Sequence, residues 1–92
     1  TGAAGGLGRA TCAALGEAGA LVIATGLSST AAERRPDADW LDLDVTDGAQ
    51  WAAAAAEIER RHGRLDILVN NAAVSTVERF EDVTPDSWRR TM

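Results

Sequence analysis

Residues 1–8 read Thr1-Gly2-Ala3-Ala4-Gly5-Gly6-Leu7-Gly8, and the glycines stand where a backbone needs them to receive a diphosphate. Gly2 lets the chain turn sharply out of a strand, Gly6 lets a pyrophosphate approach within hydrogen-bond distance, and Gly8 lets the next helix pack tightly against a sheet. Each of those jobs excludes a Cβ. The helix beginning near Leu7 would aim its free N–H groups and positive dipole end at the phosphates, where an anion is stabilised without any basic side chain. The candidate site is therefore mostly backbone. A glycine-rich turn by itself is also what an ordinary loop looks like, so the rest of the chain has to decide.

Further chemistry is expected at three places. A dinucleotide site usually carries an acid about 20 residues past the glycines, at the end of the second strand, to accept bonds from the ribose hydroxyls. Gly26-Leu27 stands there instead. With no carboxylate to repel a 2′-phosphate, and with Ser28, Ser29 and Thr30 offering hydroxyls nearby, NADP is favoured over NAD. Arg34 or Arg35 could meet such a phosphate, although both also suit a solvated helix face. Asp44, at the end of a later strand, reads either as a turn residue or as an acceptor for the nucleotide. Asn70 and Asn71 are adjacent amides that can bridge neighbouring strand backbones or remain plain loop residues. His62, beside Arg60, Arg61 and Arg64, suits the C-terminal end of a helix dipole better than catalysis. Cys12 sits among alanines and reads as a small buried residue.

The elements that must position these residues alternate. Leu7, Ala10, Ala14, Leu15 and Ala18 share one face of a helix over 7–18, closed by Gly19. Residues 20–24 are an unbroken apolar run between helical patterns, the mark of a parallel strand buried on both faces. A short helix begins at Ser28 and stops before Pro36. Residues 40–44 alternate apolar and acidic, as a strand near a sheet edge does. Thr46 reads as the N-cap of a helix over 47–62 that presents Trp51, Ala55 and Ile58 and ends at Gly63. Residues 65–69 read as another buried strand and 74–84 as a loop. Thr84-Pro85-Asp86 opens a last helix, with Trp88 as its inward anchor. This order predicts an α/β fold, a doubly wound parallel sheet of Rossmann type. A glycine turn of this kind is launched by a strand, which in the order 3-2-1-4 lies between 20–24 and 65–69. The chain is therefore expected to be part of a longer protein, with residues 1–92 a partial dinucleotide-binding domain.

Taken together, the Thr1–Gly8 motif, Asp44-Val45 and Asn70-Asn71-Ala72-Ala73 resemble the short-chain dehydrogenase/reductase family over essentially the whole chain. Its commonest branch reads Thr-Gly-x-x-x-Gly-x-Gly and Asn-Asn-Ala-Gly at these points. Spacing through Gly5 also fits Thr-Gly-x-x-Gly-x-x-Gly of a longer branch, but that branch usually has His where Asn70 stands. The resemblance implies a cofactor site of Gly2, Gly5, Gly6, Leu7, Gly8, Leu27, Asp44, Val45, Asn71, Ala72 and Ala73. In it the Asp44 carboxylate would accept the adenine amino group and the Val45 N–H would meet a ring nitrogen. Ala73 in place of glycine would push a methyl toward the cofactor. The implied activity is hydride transfer between NAD(P) and a carbonyl or alcohol. The family's acid/base is a Tyr whose pKa is lowered by a Lys four residues later, and this chain contains neither. Ser75 and Ser87 come too early in the pattern to be catalytic, so no catalytic residue is assigned and the chain alone is expected to be inactive.

Composition narrows the classes. Fourteen acids against nine bases give 92 residues a net charge of -5, the wrong balance for a nucleic-acid partner. One cysteine excludes an internal disulfide and fits a reducing compartment. No leader pattern or long apolar run is seen, so a cytoplasmic protein without a membrane partner is expected. The expected partners are a dinucleotide and a small-molecule substrate of the full-length protein. The resemblance adds a homo-oligomer built through the helix at Pro85. Two alternatives remain: a non-catalytic nucleotide-binding or structural fragment of a decayed gene, and a methyltransferase on a related sheet, against which the Asn-Asn-Ala run argues.

Overall fold

The computed structural model describes residues 1–33, 39–75 and 77–92. The first helix, α1 (Gly6–Glu17), starts one residue before its expected position. It is closed as expected: Gly19 has φ of +91° and its N–H donates to the Gly16 carbonyl. The face that α1 turns inward is not the alanine stripe. Gly8 is buried, and Thr11, Cys12 and Leu15 line the interior with it, whereas Leu7, Ala10 and Ala14 are exposed. Close contact between Gly8 and residues 2–3 sets the rotation of the helix.

Strand β1 (Ile23–Gly26) pairs in parallel with β2 (Asp39–Asp42), with Ile23 opposite Asp39 and Gly26 opposite Asp42. Both strands are offset from the apolar runs that announce them. Pairing begins only where a partner exists, and residues 20–22 have none in the sheet. After β1 the backbone forms a 3-10 helix over Ser28–Glu33. The expected end of that helix at Pro36, and Arg34 and Arg35, lie outside the described residues.

Helix α2 (Gly48–His62) is capped by Asp47, whose carboxylate accepts from the N–H groups of Ala49 and Gln50. The expected cap, Thr46, instead donates its hydroxyl to Asp44 at 2.7 Å. At the other end Gly63 takes the left-handed conformation, φ +73°, and its N–H donates to the Glu59 carbonyl. A last helix, α3 (Pro85–Thr91), carries the predicted start: Thr84 and Ser87 exchange side-chain and backbone bonds in a capping box, with Pro85 at the first position. Trp88 does not turn inward. It is 59% exposed, and among the described residues no other helix or strand packs closely on α3.

Residues 65–69 form no strand, and Leu65, Ile67 and Leu68 are exposed. The reason is the absence of a neighbour: a cavity of about 930 Å³ lies between them and residues 20–25, lined also by Leu15 of α1 and by Ala54 and Ile58 of α2. Among the described residues, backbone bonds bridge this gap at one end only. There the Ala3 N–H donates to the Thr25 carbonyl at 2.9 Å and the Thr1 nitrogen donates to the Val69 carbonyl at 2.8 Å. The lateral order is therefore β2, β1, residues 1–3, residues 69–72, the 3-2-1-4 order of a Rossmann-type sheet. Among the described residues no helix is long and apolar enough to cross a membrane.

Candidate functional site

Thr1 gathers the site. Its hydroxyl oxygen accepts from the N–H groups of Asn71 and Ala72, each at 3.0 Å. The Asn71 side-chain amide donates to the carbonyls of Thr1 at 3.0 Å and Gly2 at 3.3 Å. One of the two adjacent amides thus ties the strand ends together, while Asn70 is exposed. The sequence reading missed Thr1, although a hydroxyl at the exit of a strand, next to a glycine that frees the backbone, is a usable signal.

Two glycines are required by contact. Gly2 has φ of +64°, and a Cβ there would stand 2.8 Å from the Ala72 Cα. A Cβ on Gly8 would collide with the Gly2 carbonyl oxygen and stand 2.9 Å from the Ala3 Cα. Gly6 is different, since a Cβ there would meet nothing within 4 Å. That open position is at the tip of α1, where the N-cap Gly5 supplies no side-chain bond and Arg9 is the first residue whose N–H returns to the Gly5 carbonyl. By helix geometry the N–H groups of Gly6, Leu7 and Gly8 have no intrahelical acceptor, and no acceptor for them is found among the described residues. Leu7 is 73% exposed and does not cover the tip. An uncapped, uncovered helix start can receive an anion on three backbone donors and a dipole.

Beyond β2, the Leu43 N–H donates to the Gly26 carbonyl at 2.8 Å and carries the pairing one residue further. Asp44 follows. Its Oδ1 accepts from both the hydroxyl and the N–H of Thr46. Those bonds, the hydroxyl's first and the backbone N–H's second, hold the carboxyl below its ordinary pKa. Oδ2 has no protein donor among the described residues. The Asp44 N–H is itself held by the Gln50 side chain at 2.7 Å, and Gln50 also donates to the Asp47 carboxylate. That Asp-x-x-Gln spacing is a helix-start signature the sequence reading passed over. Val45 exposes its side chain, and its carbonyl accepts from the Trp51 indole at 3.0 Å.

The structure brings Gly2, Gly8, Asn71 and Ala72 into one cluster and sets Gly5, Gly6 and Leu7 at its rim. Leu27, Asp44 and Val45 lie at the ends of β1 and β2, and Ala73 is exposed just past the Thr1 anchor. Of the three hydroxyls after β1, that of Thr30 is already spent on the Leu27 carbonyl at 2.7 Å, which leaves Ser28 and Ser29 exposed. Among the described residues no cluster of His, Cys, Asp and Glu could hold a metal ion.

Comparison with known proteins agrees with this architecture. The short chain dehydrogenase family matches residues 1–92. Short chain dehydrogenase mpl6 of Monascus purpureus is 42% identical over 96% of this chain and 35% of its own. Sorbitol dehydrogenase of Cereibacter sphaeroides is 40% identical over 98% of this chain and 37% of its own. NAD-dependent glycerol dehydrogenase of Listeria innocua is 33% identical over 100% of this chain and 38% of its own. The chain thus spans little more than a third of the length of these relatives. No solved structure matches it significantly. With a family match from the first residue to the last, laid over a glycine turn, a parallel strand pair and an Asn-Asn-Ala strand end, the chain belongs to the short chain dehydrogenase family.

Proposed function

We propose that residues 1–92 are the cofactor-binding part of a nicotinamide-dinucleotide-dependent oxidoreductase. The observation that carries this reading is the uncapped tip of α1, open at Gly6 and set beside the ends of β1 and residues 69–72. The diphosphate would rest on the N–H groups of Gly6, Leu7 and Gly8, with Gly2 and Gly5 keeping side chains out of its path. The free Oδ2 of Asp44 would accept the adenine amino group, and the Val45 N–H would meet the ring. Leu27 would border the adenosine ribose, and Asn71, Ala72 and Ala73 the nicotinamide side. When bound, the cofactor supplies hydride exchange with a carbonyl or alcohol. The residues of this chain bind and orient, and none is assigned to move a proton. With Gly26-Leu27 in place of a ribose-binding acid, NADP is favoured over NAD. The chain alone would be inactive, and the full-length protein a cytoplasmic homo-oligomer acting on a small molecule.

The test is a calorimetric titration of the full-length protein with NADPH and NADH. Gly6→Glu places a carboxylate where the diphosphate would lie, with room to do so, and is expected to weaken both nucleotides by about 100-fold or more while leaving Tm nearly unchanged. Unaltered affinity in that variant would refute the reading.

A further inference from the structure

Asp44 and Val45 lead from the end of β2 toward α2 with most of their polar groups already engaged. The Asp44 carbonyl accepts from the Asp47 N–H at 3.0 Å and closes a turn, and the Val45 carbonyl accepts from the Trp51 indole at 3.0 Å. Asp44 Oδ1 takes both Thr46 donors. On these two residues the groups left without a protein partner among the described residues are the Val45 N–H, a donor, and Asp44 Oδ2, an acceptor. Gln50 decides where that pair stands. It occupies the third position of α2, from which a glutamine side chain usually reaches back to the backbone N–H of the N-cap residue. Here the N–H of the N-cap, Asp47, is taken by the Asp44 carbonyl, and the Gln50 amide reaches past it. Its Oε1 accepts from the Asp44 N–H at 2.7 Å, and its Nε2 donates to Asp47 Oδ2 at 3.1 Å. An N–H can only donate and a carboxylate can only accept, so a side chain that serves both partners has to be an amide. The Val45 N–H lies in the same planar peptide as the Asp44 carbonyl. Bonds on both sides of the Asp44 Cα therefore fix its direction.

We infer that Gln50 is a positioning residue for the base of a bound nucleotide: by anchoring Asp44 to the first turn of α2, it holds the Val45 N–H and Asp44 Oδ2 as a fixed donor and acceptor that select adenine over hypoxanthine. The inference rests on the dinucleotide reading above and adds the device that sets its base preference. Adenine offers an amino donor beside a ring-nitrogen acceptor, the complement of that pair. Hypoxanthine offers a carbonyl acceptor beside a ring N–H donor, so it sets acceptor against carboxylate and donor against N–H. Gln50 touches neither base. Without its bond, the Asp44 backbone is free to rotate on the β2 side, and the donor and acceptor no longer keep one spacing.

The full-length protein is titrated with NADPH and with its deamino counterpart, in which hypoxanthine replaces adenine, and Tm is read alongside. The unaltered protein is expected to bind NADPH about tenfold or more tightly than the deamino form. Gln50→Met, similar in length but unable to accept from the Asp44 N–H, is expected to bring the two Kd values within about threefold of each other, chiefly by weakening NADPH. Gln50→Glu keeps an oxygen for that N–H and is expected to retain the preference. Ala53→Gly, at an exposed position of the same helix, lowers Tm without touching the turn and is expected to leave the ratio as it is. A Gln50→Met protein that loses Tm but keeps the preference would overturn the inference. So would loss of the preference in Gln50→Glu or Ala53→Gly, or an unaltered protein that binds both dinucleotides equally. An unaltered protein that binds neither would remove the dinucleotide reading, and this inference with it.

Discussion

At the residue scale, glycines of one motif divide by what surrounds them. Gly8→Ala drives a methyl into the Gly2 carbonyl and the Ala3 backbone, neither of which is the flexible end of a side chain. Overpacking of that kind costs about 1–3 kcal/mol. Gly6→Ala meets open space and is expected to change stability by no more than about 0.5 kcal/mol. Denaturant unfolding of the two variants of the full-length protein measures the difference, and equal losses would mean that the α1 tip is packed differently. The need for small residues at 2 and 8 is legible in sequence, because turn and helix start follow each other within eight positions. The partners are not legible. That the backbone of Ala72 presses on Gly2, or that Trp40 presses on Gly26, depends on which segments the sheet brings side by side, and no local spacing states it. Asp44 was readable as a strand-end acid, whereas the sharing of its Oδ1 between two Thr46 donors is a matter of turn geometry.

At the element scale, α2 is tied to β2 through its last turns. Glu57 accepts from Arg60 at 2.7–2.9 Å and from Arg61, and Arg61 also reaches Asp39 at the start of β2. These bonds, from Arg60 first and Arg61 second, take the Glu57 carboxyl from 4.5 to about 2. A carboxylate lowered on folding contributes stability that is fully present above its unfolded value and is lost as pH falls through its folded value. The window here runs from about 4.5 down to about 2. The group faces solvent, so the effect is small and weakened by salt. Glu57→Gln is expected to flatten the fall of Tm across that window relative to the unaltered protein at low ionic strength. Parallel Tm curves would show that the ion pairs contribute nothing. The existence and order of α1, β1, β2, α2 and α3 followed from period, glycines and caps. Offsets of one to three residues arose where a tertiary partner decided the boundary, as at Ile23, or where Asp47 outcompeted Thr46 as the cap.

At the scale of the whole molecule, little is buried. Among the described residues the core consists of Ala3, Ala4, Ala24, Leu43 and Ala54, and no large side chain is fully covered. The radius of gyration is 15.0 Å, against about 12 Å for a compact domain of this length. Residues 1–92 produced alone are therefore expected to melt without a cooperative calorimetric transition, and a sharp transition would contradict this account. The missing strand at 65–69 has the same origin. Its apolar run is plain in the sequence, but a strand exists only beside another, and that neighbour is a property of the assembled sheet. The gap between residues 20–25 and 65–69 also governs how these residues behave in company. Where Thr1 and Ala3 bridge it, the gap is a single chain wide, so along the rest of its length two flanks present peptide groups that extended backbone can satisfy. Crowding many copies together offers each flank the backbone of another. Solubility would then fall with concentration through edge-to-edge association, in spite of an acidic surface that should keep the copies apart.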